Sequence, residues 1–220
     1  MTHVVHPYAQ RIGILRDWKS RWFGVRGKYA EQLKTDVLIR EFLEKKLRSF
    51  YVSSVEMERD EKVFKIIIKT SRAGMIIGRN GDGARNLKNE VLAFMTKHKL
   101  PKAKELKIDI EEIRYPETDA AIVGMMVAEA LEKRMPFRRV LKTTVEKVAA
   151  NREIQGVRIA LSGRLGGAEM ARREELKKGR IPLQTLRADI DFAREKAFMS
   201  YGIVGIKVWI YKGDVFNKKK

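Results

Sequence analysis

The chain has no cysteine among its 220 residues, which excludes disulfides and thiolate metal sites and leaves an oxidising compartment without support. Histidine is nearly as scarce. His3, His6 and His98 lack a ligand spacing such as HExxH, so a solvated or packing role is expected of each, with no metal and no cofactor. No segment approaches the apolar run needed to span a bilayer, and the first residues have no apolar core of signal-peptide length. A cytoplasmic protein with no membrane attachment is therefore expected. The most telling shortage is of acid: 28 Asp and Glu face 47 Lys and Arg, a formal net charge of +19. Such an excess repels itself in a folded chain unless a polyanion neutralises it, which points to nucleic acid or an anionic surface. A hydrophobic content of 44% excludes a disordered basic tail, and the length suits one large or two small domains.

What is present is organised around residues 63–95, VFKIIIKTSRAGMIIGRNGDGARNLKNEVLAFM. Phe64, Ile66 and Ile68 alternate with Lys65, Ile67 and Lys69, the period of a strand with one apolar face. Leu87, Val91, Leu92 and Met95 recur at helical spacing, with Arg85, Lys88 and Asn89 off that stripe. Between them stands Gly78-Arg79-Asn80-Gly81. A strand, a glycine turn and a basic amphipathic helix in succession form the layout of an RNA-clamping GxxG loop. Glycines admit a phosphate close to the backbone, and the helix start offers it unpaired N–H groups and a positive dipole end. Gly-x-x-Gly alone also occurs as an ordinary turn, but polar Arg79 and Asn80 in a basic chain favour RNA. No GxxxxGK[ST] pattern follows, which disfavours a nucleotide-triphosphate loop.

Upstream, residues 1–28 mix Trp18, Trp22 and Phe23 with Arg16, Lys19, Arg21 and Arg26 without a period. That suits an arm whose cations meet phosphates and whose rings stack, or equally tryptophans that anchor the arm on a domain. A helix is expected from 29 to 47, with Leu33, Val37, Phe42 and Leu43 toward a sheet. Val55 and Met57 alternate with Glu56 and Glu58 in a strand that Asp60-Glu61 turns into the next, and Leu106, Ile108 and Ile110 supply a third.

Pro116 marks a boundary, and Thr118 or Asp119 can cap the helix after it, whose stripe is Val123, Met126, Val127, Ala130 and Leu131. Pro136 opens another helix with Phe137, Val140, Leu141, Thr144, Val145 and Val148 on one side. Opposite that stripe Arg138, Arg139 and Lys142 sit together, in a stretch from Lys133 to Lys142 that contains no acid. Charge runs usually only solvate a helix face. Without compensating carboxylates, however, this one would repel itself, which favours a bound phosphate chain.

Beyond Gly156 the period becomes two, with a strand at Val157, Ile159 and Leu161. Residues 162–169 make a glycine-rich hairpin connection in which Arg164, and after it Arg172, Arg173, Lys177 and Lys178, are expected contacts to an RNA backbone. Asp189-Ile190-Asp191 has the spacing of a metal DxD pair, but alternation about Ile190 favours a strand. Val204, Ile206, Val208 and Ile210 close the sheet.

Several segments in order resemble the bacterial form of the universal small-subunit ribosomal protein S three family, over nearly the whole length. They are Val5-His6-Pro7 with Arg11-Ile12-Gly13, the Trp18 to Phe23 segment, Ile77-Gly78-Arg79-Asn80-Gly81 and Phe137-Arg138-Arg139. The longest are SGRLGGAEMARREELKKGRIPLQTLRADIDFA, residues 162–193, and YGIVGIKVWIYKG, residues 201–213. The resemblance implies an α/β (α+β) fold of two domains: an N-terminal type II KH domain and a C-terminal α/β domain with two helices packed on a mainly antiparallel sheet. The expected limits are a basic and aromatic arm at 1–28, a helix plus KH domain at 29–115, the C-terminal domain at 116–213 and a basic tail at 214–220.

By the same resemblance the chain is a non-enzymatic structural constituent of the 30S head that binds ribosomal RNA. In the family, positions matching Arg138, Arg139 and Lys142 line the mRNA entrance and help unwind structured message without nucleotide hydrolysis. Implied neighbours belong to the S ten, S fourteen, S four and S five families. The expected RNA-binding residues are thus Gly78, Arg79, Asn80, Gly81, Arg138, Arg139, Lys142, Arg164, Arg172, Arg173, Lys177 and Lys178, with no catalytic residue. Two departures stand out. Tyr8-Ala9 replaces the family's frequent Asn-Gly, and Asp82-Gly83 replaces an acidic pair, removing a dipole-favourable carboxylate from the helix start. A free RNA-binding regulator is opposed by the C-terminal match, and an enzyme by the missing nucleotide loop, metal cluster and acid/base pair.

Overall fold

Alternating side chains set the strands, and the computed structural model, which describes residues 5–24, 27–60, 62–101 and 105–216, divides them between two compact units. One runs from Trp18 to Arg114; the other joins the segment up to Asp17 to everything from Tyr115 on. The first elements in chain order are α1 (Pro7–Gln10), β1 (Ser20–Arg21), α2 (Lys28–Lys46), β2 (Val52–Arg59), β3 (Val63–Thr70), α3 (Ala73–Ile77), α4 (Asp82–Lys97) and β4 (Glu105–Glu112). Then come α5 (Ala120–Glu132), α6 (Phe137–Ala149), β5 (Gly156–Gly163), β6 (Arg172–Gly179), β7 (Ala188–Met199) and β8 (Gly202–Asp214). Among the described residues no helix is long and apolar enough to cross a membrane.

In the first unit the sheet runs β1-β2-β3-β4, antiparallel only between β2 and β3. Val55, Met57, Phe64, Ile66, Ile68 and Leu106 point inward, where Ile39 and Leu43 of α2 and Leu87, Val91 and Met95 of α4 meet them. The outer face neutralises itself. Arg21 bonds Glu58 at 2.7 Å and Glu56 at 3.0 Å, Lys69 bonds Glu56 at 2.6 Å, and Lys65 lies 3.0 Å from Asp109.

Helix α2 departs from its apolar pattern. Leu33 and Val37, expected to face the sheet, are 43% and 42% exposed, and the helix turns Thr35, Asp36, Ile39 and Leu43 inward instead. A polar cluster fixes this rotation. Asp36, 1% exposed, accepts from Arg59 at 2.6 and 3.0 Å and from the Trp22 indole at 2.7 Å, so its charge is buried with both oxygens satisfied. Trp22 is thereby an anchor, whereas Trp18 and Phe23 stand exposed.

In the second unit the sheet is wholly antiparallel, in the order β6-β5-β8-β7. Helices α5 and α6 cover one face, packing Val123, Val127, Leu131, Val140, Leu141, Val145 and Val148 on Val157, Ile159, Leu161, Val204, Ile206, Val208 and Ile210. Asp119 is the cap of α5, accepting from the amides of Ala121 and Ile122 at 2.9 and 3.2 Å. Strand β7 contains the Asp-Ile-Asp triplet as a strand: Ile190 is buried, Asp189 binds Arg16 at 2.7 Å, and Asp191 accepts from the Ala120 amide at 2.8 Å.

The segment read as one arm is divided after Asp17. Its first part lies on the sheet face away from α5 and α6, where the His6 ring meets Phe192 edge-on at 4.7 Å. Arg11 is completely buried there. Its guanidinium donates to the carbonyls of Pro7 at 2.9 Å, Leu183 at 3.0 Å, Thr185 at 2.9 Å and Ala188 at 2.6 Å. Burial lowers its pKa, against the raising effect of Asp189 nearby. The His98 ring packs tilted against that of Phe94 at 4.4 Å, and His3 lies outside the described residues.

Candidate nucleic-acid interface

Helix α3 ends at Gly78, whose φ of 71° and ψ of −173° favour glycine; a Cβ there would stand 3.0 Å from the Gly83 nitrogen. One 3-10 turn follows, Arg79–Gly81, with Asn80 at φ 53° and Gly81 at φ 81°. Asparagine tolerates the left-handed region because its short amide can bond locally. Arg79 and Asn80 are therefore held out on the tip of the loop, both exposed. The flanking helices add exposed Arg85 and Lys88 on α4 and exposed Met75 and Ile77 on α3, while exposed Arg72, just ahead of α3, lies over the Tyr51 ring at 4.2 Å. Arg85 lies 3.8 Å from Asp82, a solvated pair of little strength. Gly83, read from sequence as a lost carboxylate, has a packing role. Its missing side chain lets the first turn of α4 sit against α3, where a Cβ would be 2.4 Å from the Ile76 carbonyl oxygen.

On α6, Arg138, Arg139 and Lys142 are exposed, opposite buried Val140, Leu141, Val145 and Val148. The cluster is not without acid. Strand β6 brings Glu174 to 3.5 Å from both Arg138 and Arg172, and Lys133 bonds Glu129 at 2.6 Å. A scan along residues 133–142 cannot see a strand that arrives later in the chain. At 75% exposure and 3.5 Å, however, the Arg138 contact is weak. Among the described residues Arg139 and Lys142 have no ion-paired or hydrogen-bonded side-chain partner. The Phe137 ring lies between Arg138 and Arg172, 5.7 and 5.4 Å from their guanidinium carbons.

The basic residues of β6 divide by strand period. Arg172, Glu174, Leu176 and Lys178 oppose Gly163, Leu161, Ile159 and Val157 on the helix side, while Arg173, Glu175 and Lys177 face the other way. Period two was visible in the sequence and would have separated them. Glu175 accepts from Arg158 at 2.7 Å and Arg173 at 2.9 Å, and the Arg158 bond chiefly holds its carboxyl below the usual range. Arg164 is committed to its own turn, donating to the carbonyls of Ala168 at 2.9 Å, Tyr201 at 3.3 Å and Gly167 at 3.4 Å. Thus Arg138, Arg139, Lys142 and Arg172 share one region, Arg173 and Lys177 lie across the sheet from it, and the GxxG residues belong to the other unit. Among the described residues no cluster of three or more acidic or His side chains could hold a metal.

A GxxG turn between two helices, packed on a mixed sheet and joined to a second α/β unit with a basic helix face, defines an RNA-binding protein of the KH class. Residues 38–118 match the family described as KH domain, and residues 127–210 that described as Ribosomal protein S3, C-terminal domain. The small ribosomal subunit protein uS3 of Clostridium novyi (strain NT) is 44% identical over 220 residues, covering 100% of this chain and 96% of its own. That of Nitrosococcus oceani is 44% identical over 218 residues, 99% of this chain and 94% of its own, and that of Coxiella burnetii (strain RSA 493) 43% over 219, 100% and 93%. The chain belongs to the small ribosomal subunit protein uS3 family. The family is ribosomal rather than enzymatic, and its two domains account for the expected α/β architecture.

Proposed function

We propose that the chain is a structural, RNA-binding constituent of the cytoplasmic small ribosomal subunit, in the head, and that its α6 face grips message at the mRNA entrance and aids the separation of paired strands. The observation that carries this is the exposed set Arg138, Arg139 and Lys142 on one face of a well-packed helix, with Arg172 beside it and only a weakly held Glu174 between. Cations fixed on a rigid element hold the phosphates of separated strands against re-pairing, and the protein needs no nucleotide hydrolysis to do so.

In this reading residues 29–115 form the KH module, whose Gly78-Arg79-Asn80-Gly81 loop brings backbone and two polar side chains to an RNA phosphate, and residues 116–213 the C-terminal domain. Arg173 and Lys177 on one face of β6 and Lys178 on the other contact ribosomal RNA backbone, and Arg164 holds the glycine turn that leads into the strand. The arm, 1–28, anchors on the chain through Arg11, Arg16 and Arg21, and the basic tail, 214–220, whose last four residues lie outside the described residues, is solvated. Neighbours come from the S ten, S fourteen, S four and S five families. The test replaces Arg138, Arg139 and Lys142 with Ala in reconstituted subunits. Assembly is expected to be unchanged while translation slows on message containing a hairpin; equal rates on structured and unstructured message would refute the assignment.

A further inference from the structure

One face of the β6-β5-β8-β7 sheet is covered by α5 and α6; pairing register specifies what the other carries. Lys177, Arg158, Trp209 and Phe192 form one row across the four strands. Glu175, Ala160, Lys207 and Arg194 form the next, and Arg173, Ser162, Gly205 and Lys196 the third, before Ile203 opposite Phe198. The arm closes the first end, where His6 packs on Phe192 and Arg11 locks the chain at Ala188. Past the first row the face opens: Lys207, Arg194, Ser162, Phe198 and Ile203 are all exposed.

Its charge is not that of the chain at large. In these three rows the basic side chains are Lys177, Arg158, Lys207, Arg194, Arg173 and Lys196 and the only acid is Glu175, which is already held by Arg158 and Arg173. The corresponding outer face of the other sheet is neutralised by its own ion pairs. Shape adds a second argument. Small residues, Ala160, Ser162 and Gly205, floor the middle strands around Lys207, and long side chains rise from β6 and β7 on either side. Three inter-strand steps of about 4.8 Å make this a trough roughly 14 Å across, wide enough for one nucleic-acid strand. At its open end the exposed Phe198 ring and Ile203 offer an apolar surface to a base.

We propose that this open sheet face is a second RNA-binding surface, separate from the α6 face, taking the phosphates of a single RNA strand along Arg194 and Lys207 with an unstacked base against Phe198. It rests on the RNA-binding reading above and adds the site and its mode.

The experiment titrates a fluorescein-labelled twelve-nucleotide oligouridine with the full chain at several salt concentrations. Arg194→Gln combined with Lys207→Gln removes two exposed cations, so an unchanged circular dichroism spectrum and urea midpoint are expected. The salt slope of log affinity should fall by about 1.4, at roughly 0.7 per phosphate on a single strand. Phe198→Ala should weaken binding about fivefold or more with an unchanged salt slope, as stacking is not ionic. Wild-type affinity and slope in the double variant, with loss in the Arg138, Arg139 and Lys142 variant, would overturn this surface and leave the first reading standing. Wild-type binding in every variant would overturn both. In assembled subunits, a benzoyl-phenylalanine photoprobe at position 198 should crosslink to RNA; capture of a protein would assign the face to a protein partner and overturn the proposal.

Discussion

Replacing Asp36 with Ala tests the claim that a polar cluster, rather than apolar pattern, orients α2. Both carboxylate oxygens are engaged, Oδ1 by Arg59 at 2.6 and 3.0 Å and Oδ2 by Trp22 at 2.7 Å. The Arg59 side chain is only 10% exposed and lies over the Phe64 ring at 4.0 Å, so the orphaned guanidinium cannot simply turn to water. Breaking a buried ion pair from one side costs about 3–5 kcal/mol, a large share of the roughly 5–15 kcal/mol that holds a domain. With a urea slope of about 2 kcal/mol per molar, the unfolding midpoint of the Trp18–Arg114 unit should fall by roughly 2 M. Adding Arg59→Met to Asp36→Ala should restore most of the loss, because the uncompensated charge, not the missing contact, is the main penalty. Circular dichroism of the full chain reads the midpoint. A shift under about 0.5 M, or a double variant no better than the single, would show that the apolar side chains alone set the helix.

Two further outcomes follow from buried and paired charges. Arg11→Met strips the donors from four carbonyls and should cost about 2–4 kcal/mol, read as a lower urea midpoint with faster amide exchange at residues 183–188; unchanged exchange there would refute the clamp. The Glu175 carboxyl is held below its ordinary range, mainly by Arg158, so its stabilising effect is present above the unfolded-state value and disappears as pH falls through the folded one. Glu175→Gln should therefore lower the midpoint slightly at pH 7, and the difference should begin to shrink as pH falls past the ordinary glutamate value of about 4.3 and vanish below the depressed folded value; a difference that stays constant through this range would refute the pairing.

The strands were legible because burial enforced period two: Val55, Met57, Phe64, Ile66 and Ile68 could lie on the core side in one register only. The same holds for Val204, Ile206, Val208 and Ile210, and the glycines of the 162–169 turn marked the β5-β6 hairpin. The GxxG loop was legible because Gly78 needs a backbone conformation that few residues adopt. What escaped depended on partners distant in sequence. Asp36 belongs inside only because Arg59 and Trp22 reach it, Glu174 approaches Arg138 only through strand pairing, and nothing local marks Arg11 as a fully buried cation. The scatter of Arg172, Arg173, Lys177 and Lys178 over two faces was readable, yet a basic run draws the eye to composition before period.

The Arg11 clamp also sets an order of events on the ribosome that makes the chain. Its carbonyl partner at Ala188 lies 177 residues further on, so at about 5–20 residues per second Arg11 waits roughly 9–35 s for the cage to be polymerised. The Trp18–Arg114 unit is complete well before then and can fold while the segment ahead of it is still unhoused. The earliest residues to emerge are thus among the last to find their place, and the second unit can close only when the beginning of the chain is brought back to join its end.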